Sequence, residues 1–305
     1  NHFLSYFEEK VEKTINKYQL LERSDTICVA TSGGKDSLTV LYLTKKYLET
    51  HRSNSKLFAL VIDEGIKGYR KTTIDDLKLF CKIHQITLKI IKAKEEFGFT
   101  LDQAIPKIKK LERKKPCNIC GVWRRYLLNK YAKKYGATKV VTGHNLDDEA
   151  QVIVMNLFKA NTTLTAHVGP KSGIEENEYF AQRVKPLYFC TEKETRLYAL
   201  LKKFKVNFTE CPNANEGLRA YIRDMLNDAE AKYPGTKQGI IKSFLDIMPL
   251  VREREKKKEK TIQQCIKCGE PANQPVCNAC KICNALFTSK KSNIKPSLSP
   301  KSKSQ

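Results

Sequence analysis

Three cysteines raise the first chemical possibility. Cys117 and Cys120 form a Cys-x-x-Cys pair in "KKPCNICGVWRRYL", and Cys211 stands alone beside proline in "FTECPNANEG". The pair is placed just before a helix, and a helix N-terminus favours the thiolate, so depressed thiol pKa values are expected. The pair reads as half of a zinc site or as a redox dithiol. With Cys211 as a third ligand it reads instead as the protein side of a [4Fe–4S] cluster with one iron left open. Spacing alone does not choose among these. A second set is tighter: "CIKCGEPANQPVCNACKIC" gives Cys265-x2-Cys268-x8-Cys277-x2-Cys280, two knuckles on a short hairpin, which suits tetrahedral Zn²⁺ in a closed, structural site. Cys283 continues the rhythm and is treated as spare, although it could replace Cys280. Cys28, Cys81 and Cys190 read as small buried hydrophobes.

Other side chains point to phosphate chemistry. "TSGGKDS" (31–37) follows an apolar run and opens a helix. A helix N-terminus offers unpaired N–H groups and partial positive charge, and glycines let the backbone come close to a phosphate. Lys35 adds a full charge, Ser32 and Ser37 add hydroxyls, and Asp36 makes sense beside phosphate if Mg²⁺ is bound. The spacing is not that of the Walker A loop. "VTGHNLDDEA" (141–150) is a second strand-to-helix turn. In it Asn145 or Asp147 could cap the helix, Gly143 could admit a nucleotide, and Asp147 or Asp148 could hold Mg²⁺ or act on the substrate. "VIDEGI" (61–66) supplies a third strand edge.

The elements that must position these groups follow from periodicity. A helix is expected over 3–23, with Phe3, Phe7, Val11 and Ile15 at helical spacing. Strands at 27–30, 57–62, 87–91 and 139–142 then alternate with helices at 35–48, 73–84, 101–111, 121–135 and 147–159, with Pro106 as a kink. Such alternation predicts an α/β fold with a parallel sheet. Residues 161–182 read as a polar, mobile loop and 182–187 as a further strand. Helices are expected at 193–204, 218–232 and 237–256. The division is an N-terminal helix (1–24), a catalytic domain (25–210), a helical extension (211–260), a zinc module (261–287) and a disordered basic tail (288–305). Trp123 is read as a packing residue, and His144 as either a nucleotide contact or a brace for the turn.

With 56 Lys and Arg against 33 Asp and Glu, the net charge of +23 favours a polyanionic partner, nucleic acid above all. No apolar run approaches the roughly 18–20 residues of a membrane span, so no membrane partner is expected. The charged, amphipathic start does not read as a signal peptide. Eleven cysteines, mostly in Cys-x-x-Cys pairs, suit metal binding in a reducing, cytoplasmic compartment rather than a disulfide framework.

The "SGGKDS" turn is similar to the S-G-G-x-D-S signature of the PP-loop ATP pyrophosphatases, which have an adenine nucleotide alpha hydrolase-like domain. The order "SGGKDS", "VIDEGIKGYR", "CNICGVWRRY", "TGHNLDDEA", "ECPNA" and a terminal four-cysteine motif resembles the tRNA 2-thiouridine synthetases of the TtuA and cytosolic thiouridylase group. The resemblance runs to about residue 287. It implies ATP-site positions at Ala30, Ser32, Gly33, Gly34, Lys35, Asp36, Ser37, Ile62, Gly143 and Asp148, with the Ile62 backbone pairing with adenine. It implies [4Fe–4S] ligation by Cys117, Cys120 and Cys211. The implied reaction is adenylation of a uridine C2 oxygen, with pyrophosphate released, followed by sulfur attack on C2 and loss of AMP. A ubiquitin-like sulfur carrier or free sulfide is the implied donor, and a homodimer the implied assembly.

Two departures bear on mechanism. Enzymes of the TtuA type carry a catalytic Lys where this chain has Arg124, and a guanidinium that stays charged can steady phosphate charge but cannot serve as a neutral base. The "CGVWRR" form points to the wobble uridine, position 34, with uridine 54 of the T-loop as the alternative. The group usually opens with a zinc finger, of which only His2 stands where the last ligand would be, so the finger is expected to be absent or cut off here and His2 is read as an ordinary surface histidine. A lysidine synthetase-like enzyme without a cluster is the runner-up within the fold. An RNA-binding module with an inactive nucleotide fold is the non-enzymatic alternative, and Ser32, Lys35 and Asp36 argue against it.

Overall fold

The structure, a computed structural model, describes residues 2–112, 115–174, 179–206, 211–213, 217–257 and 262–288. Its first half runs α1 (His2–Tyr18), β1 (Thr26–Thr31), α2 (Lys35–Thr50), β2 (Lys56–Asp63), α3 (Arg70–Ile83), β3 (Thr87–Lys92) and α4 (Ala93–Phe97). Then come α5 (Leu101–Glu112), α6 (Pro116–Lys134), β4 (Lys139–Thr142), α7 (Leu146–Phe158), α8 (Thr162–Ala166), β5 (Gln182–Val184) and α9 (Glu192–Leu201). The last part is α10 (Leu218–Lys232), α11 (Thr236–Lys256), a β6 (Gln263–Gln264) and β7 (Pro271–Ala272) hairpin, and α12 (Asn278–Thr288).

Continuous apolar strands need cover on both faces, and they have it. Ile27, Cys28 and Val29 of β1 are fully buried. The five-stranded parallel sheet has the order β3-β2-β1-β4-β5. One face is filled by Phe7, Val11, Ile15, Leu38, Leu41, Leu77 and Tyr198, from α1, α2, α3 and α9. The other is filled by Phe58, Leu60, Ile108, Trp123, Leu127 and Leu286, from β2, α5, α6 and α12. A third core joins α7 to α10 and α11 through Leu146, Ile153, Ile222 and Phe244. The chain leaves β1 toward β2 and β3 on one side and returns to β4 on the other. The crevice at the carboxyl ends of β1 and β4 is therefore the topological switch point, where ligands of open α/β sheets bind.

Several expectations need correcting. Proline at N1 starts α6 at Pro116, so Cys117 and Cys120 lie inside its first turns rather than before it. The loop expected at 161–182 contains α8, capped by the Asn161 side chain, and a bridge from Lys171 to Val184. Residues 175–178 of it lie outside the described residues. So do 289–305 of the expected basic tail. The strand expected over 182–187 is only Gln182–Val184, and the short helix α4 has no counterpart in the periodicity. Trp123 is fully buried and stacks on Phe97 at 4.6 Å, which bears out its packing role. No helix among the described residues is long and apolar enough to cross a membrane.

The terminal cysteine segment is not set apart from the sheet domain. Ile282, Cys283 and Leu286 of α12 are buried in the same core as α5 and α6, and Phe287 meets Phe99 at 5.2 Å. That core also takes in Ile119 and Trp123 of the helix that carries Cys117 and Cys120.

Candidate active site

The glycine turn is held from within. Ser37 Oγ donates to the Gly34 carbonyl at 2.8 Å and accepts from the Ser32 amide at 3.2 Å, and the Gly34 amide donates to Ser32 Oγ at 3.3 Å. Gly33 has φ +83°, and a Cβ there would lie 2.6 Å from the Thr73 carbonyl oxygen, so glycine is required twice over. Gly34 caps α2 with no side chain on the helix end, which leaves that N-terminus free for an anion. Lys35 bonds Asp36 at 3.0 Å and Glu192 at 2.8 Å.

The β4 edge packs directly on this turn. A Cβ on Gly143 would sit 2.8 Å from both the carbonyl carbon and oxygen of Asp36. Asn145 and Asp148 form a reciprocal capping box on α7, and the Asn145 side chain also donates to Asp36 at 3.2 Å. Asp148 accepts from Arg219 at 2.7 Å. Burial, and in lesser part the Asp148 charge, raises the Asp36 carboxyl above its usual value, opposed by Lys35 and Asn145. Two carboxylates that repel one another at the foot of an anion-binding helix are a donor set that a divalent cation would relieve. His144 reaches Thr142 Oγ1 at 2.9 Å.

Adjacent Asp147 faces elsewhere. It accepts from the Glu192 amide at 2.7 Å and pairs with buried Lys237, so it ties α7 to α9 and α11. The structure therefore separates the two acidic candidates: Asp148 is beside Asp36, and Asp147 is engaged in the scaffold.

The third edge leads to the cysteines. The β1–β2 ladder stops at Thr31–Val61, whereas the β2–β3 ladder continues through Ile62–Ile91 to Asp63–Lys92. Ile62 thus lies just past the end of β1, where its backbone edge has no β1 partner in the ladder. Beyond it, fully buried Glu64 accepts from Arg70 Nε at 2.5 Å and pairs with Arg124 Nε at 3.2 Å. Arg70 also donates to the Ser32 carbonyl at 2.8 Å. The Cys117 thiol donates to the Asn213 carbonyl at 3.1 Å, which brings the Cys211 segment onto the start of α6. Cys120 and Cys211 pack against the same core, and each thiol is free of disulfide.

The expected depression of the thiol pKa fails at Cys120. Burial, then the charge of Glu64, pushes this thiol up to about 11, and Arg124 and Arg70 offset it only in part. The helix N-terminus is outweighed because the side chain is turned into the core. Three thiols from two segments, outside any disulfide and with the Arg124 and Arg70 charges acting on Cys120, fit a cluster that takes three protein ligands and carries negative charge.

Cys265, Cys268, Cys277 and Cys280 have ligand atoms all within 4.8 Å of one another, the only such group among the described residues. The Cys277 amide donates to Cys265 Sγ at 3.2 Å and the Cys280 amide to Cys277 Sγ at 3.4 Å. Hydrogen bonds from its neighbours hold the Cys268 thiol far below its ordinary value, while those with Cys268 push Cys277 up to about 11 and Cys280 upward as well. Thiols that compete in this way for protons are suited to a shared cation. Cys283 stays outside the group, buried in the α5–α6 core, and burial raises it to about 12.

Sequence reasoning does not single out Glu64, Arg70, Glu192, Arg219 or Lys237. Each acts through a contact that spans elements, and the one available hint is the position of Glu64 and Arg70 within "VIDEGIKGYR".

A parallel sheet whose switch point holds a glycine turn and a facing acidic turn defines an α/β nucleotide-binding protein. A PP-loop domain model matches residues 4–230. A probable sulfurtransferase of Methanocaldococcus jannaschii is 35% identical over 93% of this chain and 80% of its own length. The tRNA-5-methyluridine(54) 2-sulfurtransferase of Pyrococcus horikoshii is 36% identical, covering 92% of this chain and 85% of its own. The cytoplasmic tRNA 2-thiolation protein 1 of Chlamydomonas reinhardtii is 34% identical, covering 93% and 78%. Among solved structures, the U34-tRNA thiolase NcsA of Methanococcus maripaludis, with its [4Fe–4S] cluster, matches at TM-score 0.79 and 30% identity over 96% of this chain and 91% of that one. The chain belongs to the PP-loop family, in the group that contains the tRNA 2-sulfurtransferases.

Proposed function

We propose that the protein is a tRNA-uridine 2-sulfurtransferase that consumes ATP to AMP and pyrophosphate. The observation that carries the reading is the joining of two half-sites: the PP-loop carbonyl of Ser32 and the cysteine helix are linked through Arg70, Glu64 and Arg124. ATP would lie over Ser32–Ser37, with its phosphates on the open N-terminus of α2 and on Lys35, its base against the Ile62 edge beside Ala30, and Gly143 in close approach. Asp36 and Asp148 would hold Mg²⁺. The uridine C2 oxygen attacks the α-phosphorus, pyrophosphate leaves, and the oxygen becomes part of a good leaving group. A sulfur nucleophile then adds to C2, and the C2–O bond breaks to release AMP. Arg124, which stays charged, steadies the phosphate during both steps and exchanges no proton.

Cys117, Cys120 and Cys211 would hold a [4Fe–4S] cluster, which supplies an iron without a protein ligand where sulfide can be bound. The four terminal cysteines would hold Zn²⁺, and their packing on α5 and α6 gives that ion a bracing role. A net charge of +23 supports salt-sensitive tRNA binding, with the target base exposed or flipped to reach the crevice. The donor would be free sulfide or a thiocarboxylated ubiquitin-like carrier, and the assembly a homodimer. The name of the Chlamydomonas relative supports a cytoplasmic setting.

Uridine 34 is the favoured target, supported by the likeness to the solved U34-tRNA thiolase and by Arg124 in the "CGVWRR" segment. Uridine 54 is the second reading, supported by the name of the Pyrococcus relative. The lysidine synthetase-like alternative finds no support among these relatives. The test is anaerobic purification with iron and sulfide analysis, then ATP-dependent thiolation of tRNA lacking uridine 34 or uridine 54. Thiolation lost only without uridine 34 is expected. No thiolation by iron-loaded protein would overturn the proposal.

A further inference from the structure

Glu64 is 1% exposed and meets two cations. A buried carboxylate is costly unless it is paired and hydrogen-bonded, and Arg70 alone, at 5% exposure, would meet that need. The second partner is therefore informative. Arg124 comes from α6, is 51% exposed, and has its Nε against the other carboxylate oxygen. Anchored at one edge, its guanidinium remains open to solvent elsewhere. Arg70 in turn uses a second nitrogen on the carbonyl of Ser32, in the turn that leads into α2. One carboxylate thus stands between the nucleotide loop and the helix of Cys117 and Cys120. A merely structural ion pair needs no bond to a loop carbonyl and no half-exposed third member.

We propose that Glu64 is a positioning residue shared by both half-sites: through Arg70 it fixes the Ser32 carbonyl of the nucleotide loop, and through Arg124 it aims a guanidinium from the cysteine helix at the phosphate of the adenylated uridine. The inference rests on the proposed sulfurtransferase reaction and names the part that couples its two steps. Glu64 touches neither substrate nor reacting atoms. Its effect is geometric, and displacement of a positioning group by about 1 Å can cost about 10²-fold in rate.

The test uses full-length, iron-loaded protein. Glu64→Gln keeps the size and removes the charge, Glu64→Asp keeps the charge, and Arg70→Lys keeps a cation but not two directed N–H groups. Binding of a non-hydrolysable ATP analogue reads the loop, tRNA-dependent pyrophosphate release reads the first step, and thiolated tRNA reads the second. Glu64→Gln should weaken analogue binding about tenfold, as loss of a hydrogen bond to a charged group does. It should also lower thiolation about 10²-fold, with Glu64→Asp recovering part of both. Arg70→Lys should weaken analogue binding more than it slows sulfur transfer. Unchanged analogue binding and thiolation in folded Glu64→Gln protein would overturn the proposal. So would losses that follow only a lower Tm and vanish at a temperature where all three variants are folded. Should wild-type protein release no pyrophosphate with tRNA, the sulfurtransferase reading falls, while analogue binding still decides the Glu64–Arg70 link to the loop.

Discussion

The molecule has two sulfur sites built in opposite ways. Cys265, Cys268, Cys277 and Cys280 come from one short hairpin and the start of α12, and their ligand atoms crowd within 4.8 Å. Cys117, Cys120 and Cys211 come from two segments far apart in sequence that are joined through the Cys117–Asn213 contact, and two arginines act on Cys120. Four ligands around one ion would leave no position for a substrate, so a metal held by the first site would brace the fold. On the proposed reading, three ligands on a larger group would leave one position open, and such a site would have to sit where substrate can come. The two sets are nonetheless linked in the fold, because α12 packs in the same core as the helix that carries Cys117 and Cys120.

The largest effects should come from breaking one site at a time. Cys268→Ser should release the bound metal and expose the α5–α6 face, since structural zinc contributes roughly 10–16 kcal/mol of apparent binding free energy. Metal content and limited proteolysis read this. Cys211→Ser should instead abolish thiolation and lower iron content while leaving the thermal transition nearly unmoved. If both variants unfold alike, the contrast between bracing and open sites is wrong.

The same contrast holds between neighbours in "LDDEA". Asp147→Asn breaks the buried pair with Lys237 and should cost about 3–5 kcal/mol of stability. Asp148→Asn, at a half-exposed pair with Arg219, should cost little stability and most of the pyrophosphate release. Denaturant unfolding set beside initial rates separates the two.

Gly143→Ala tests the nucleotide half alone. Its Cβ would fall 2.8 Å from the Asp36 carbonyl, so one backbone must shift, at about 1–3 kcal/mol. A raised KM for ATP in pyrophosphate release is expected, with an unchanged rate of sulfur transfer to pre-adenylated substrate.

The metal-free open site should also respond to pH. The Cys120 thiol is raised from 9.0 to about 11, mainly by burial, so the folded state holds its proton more tightly than the unfolded state. That contribution to stability is complete below pH 9 and is lost as pH rises through about 11. Thermal unfolding of the metal-free protein should show the loss, and Cys120→Ala should remove it.

The smallest effect belongs to Cys283. It lies outside the four-sulfur group, so Cys283→Ala should leave metal content unchanged and cost about 1 kcal/mol for the vacated core volume. A fall in metal content would make it a ligand.

Local chemistry was legible in the sequence. The strand–turn–helix at Ser32–Ser37, the choice of Asn145 or Asp147 as a helix cap, and the two knuckles at 265–280 each lie within a few residues. Covalent spacing and helix-end physics therefore limit what they can become. The parallel sheet was legible too, because strands buried on both faces must read as apolar runs between helices. The order in which those strands lie side by side was left to the tertiary structure. That order made Gly143 a contact of Asp36, turned Asp148 toward the crevice and Asp147 toward Lys237, and set Glu64 between Arg70 and Arg124. It also reversed the expected shift at Cys120, because packing of the side chain into the core outweighed the helix end it sits on. Residue spacing constrains only what the chain can bring together locally. Convergence of distant side chains, and the burial that tunes them, exist only once the sheet order and the helix packing are formed.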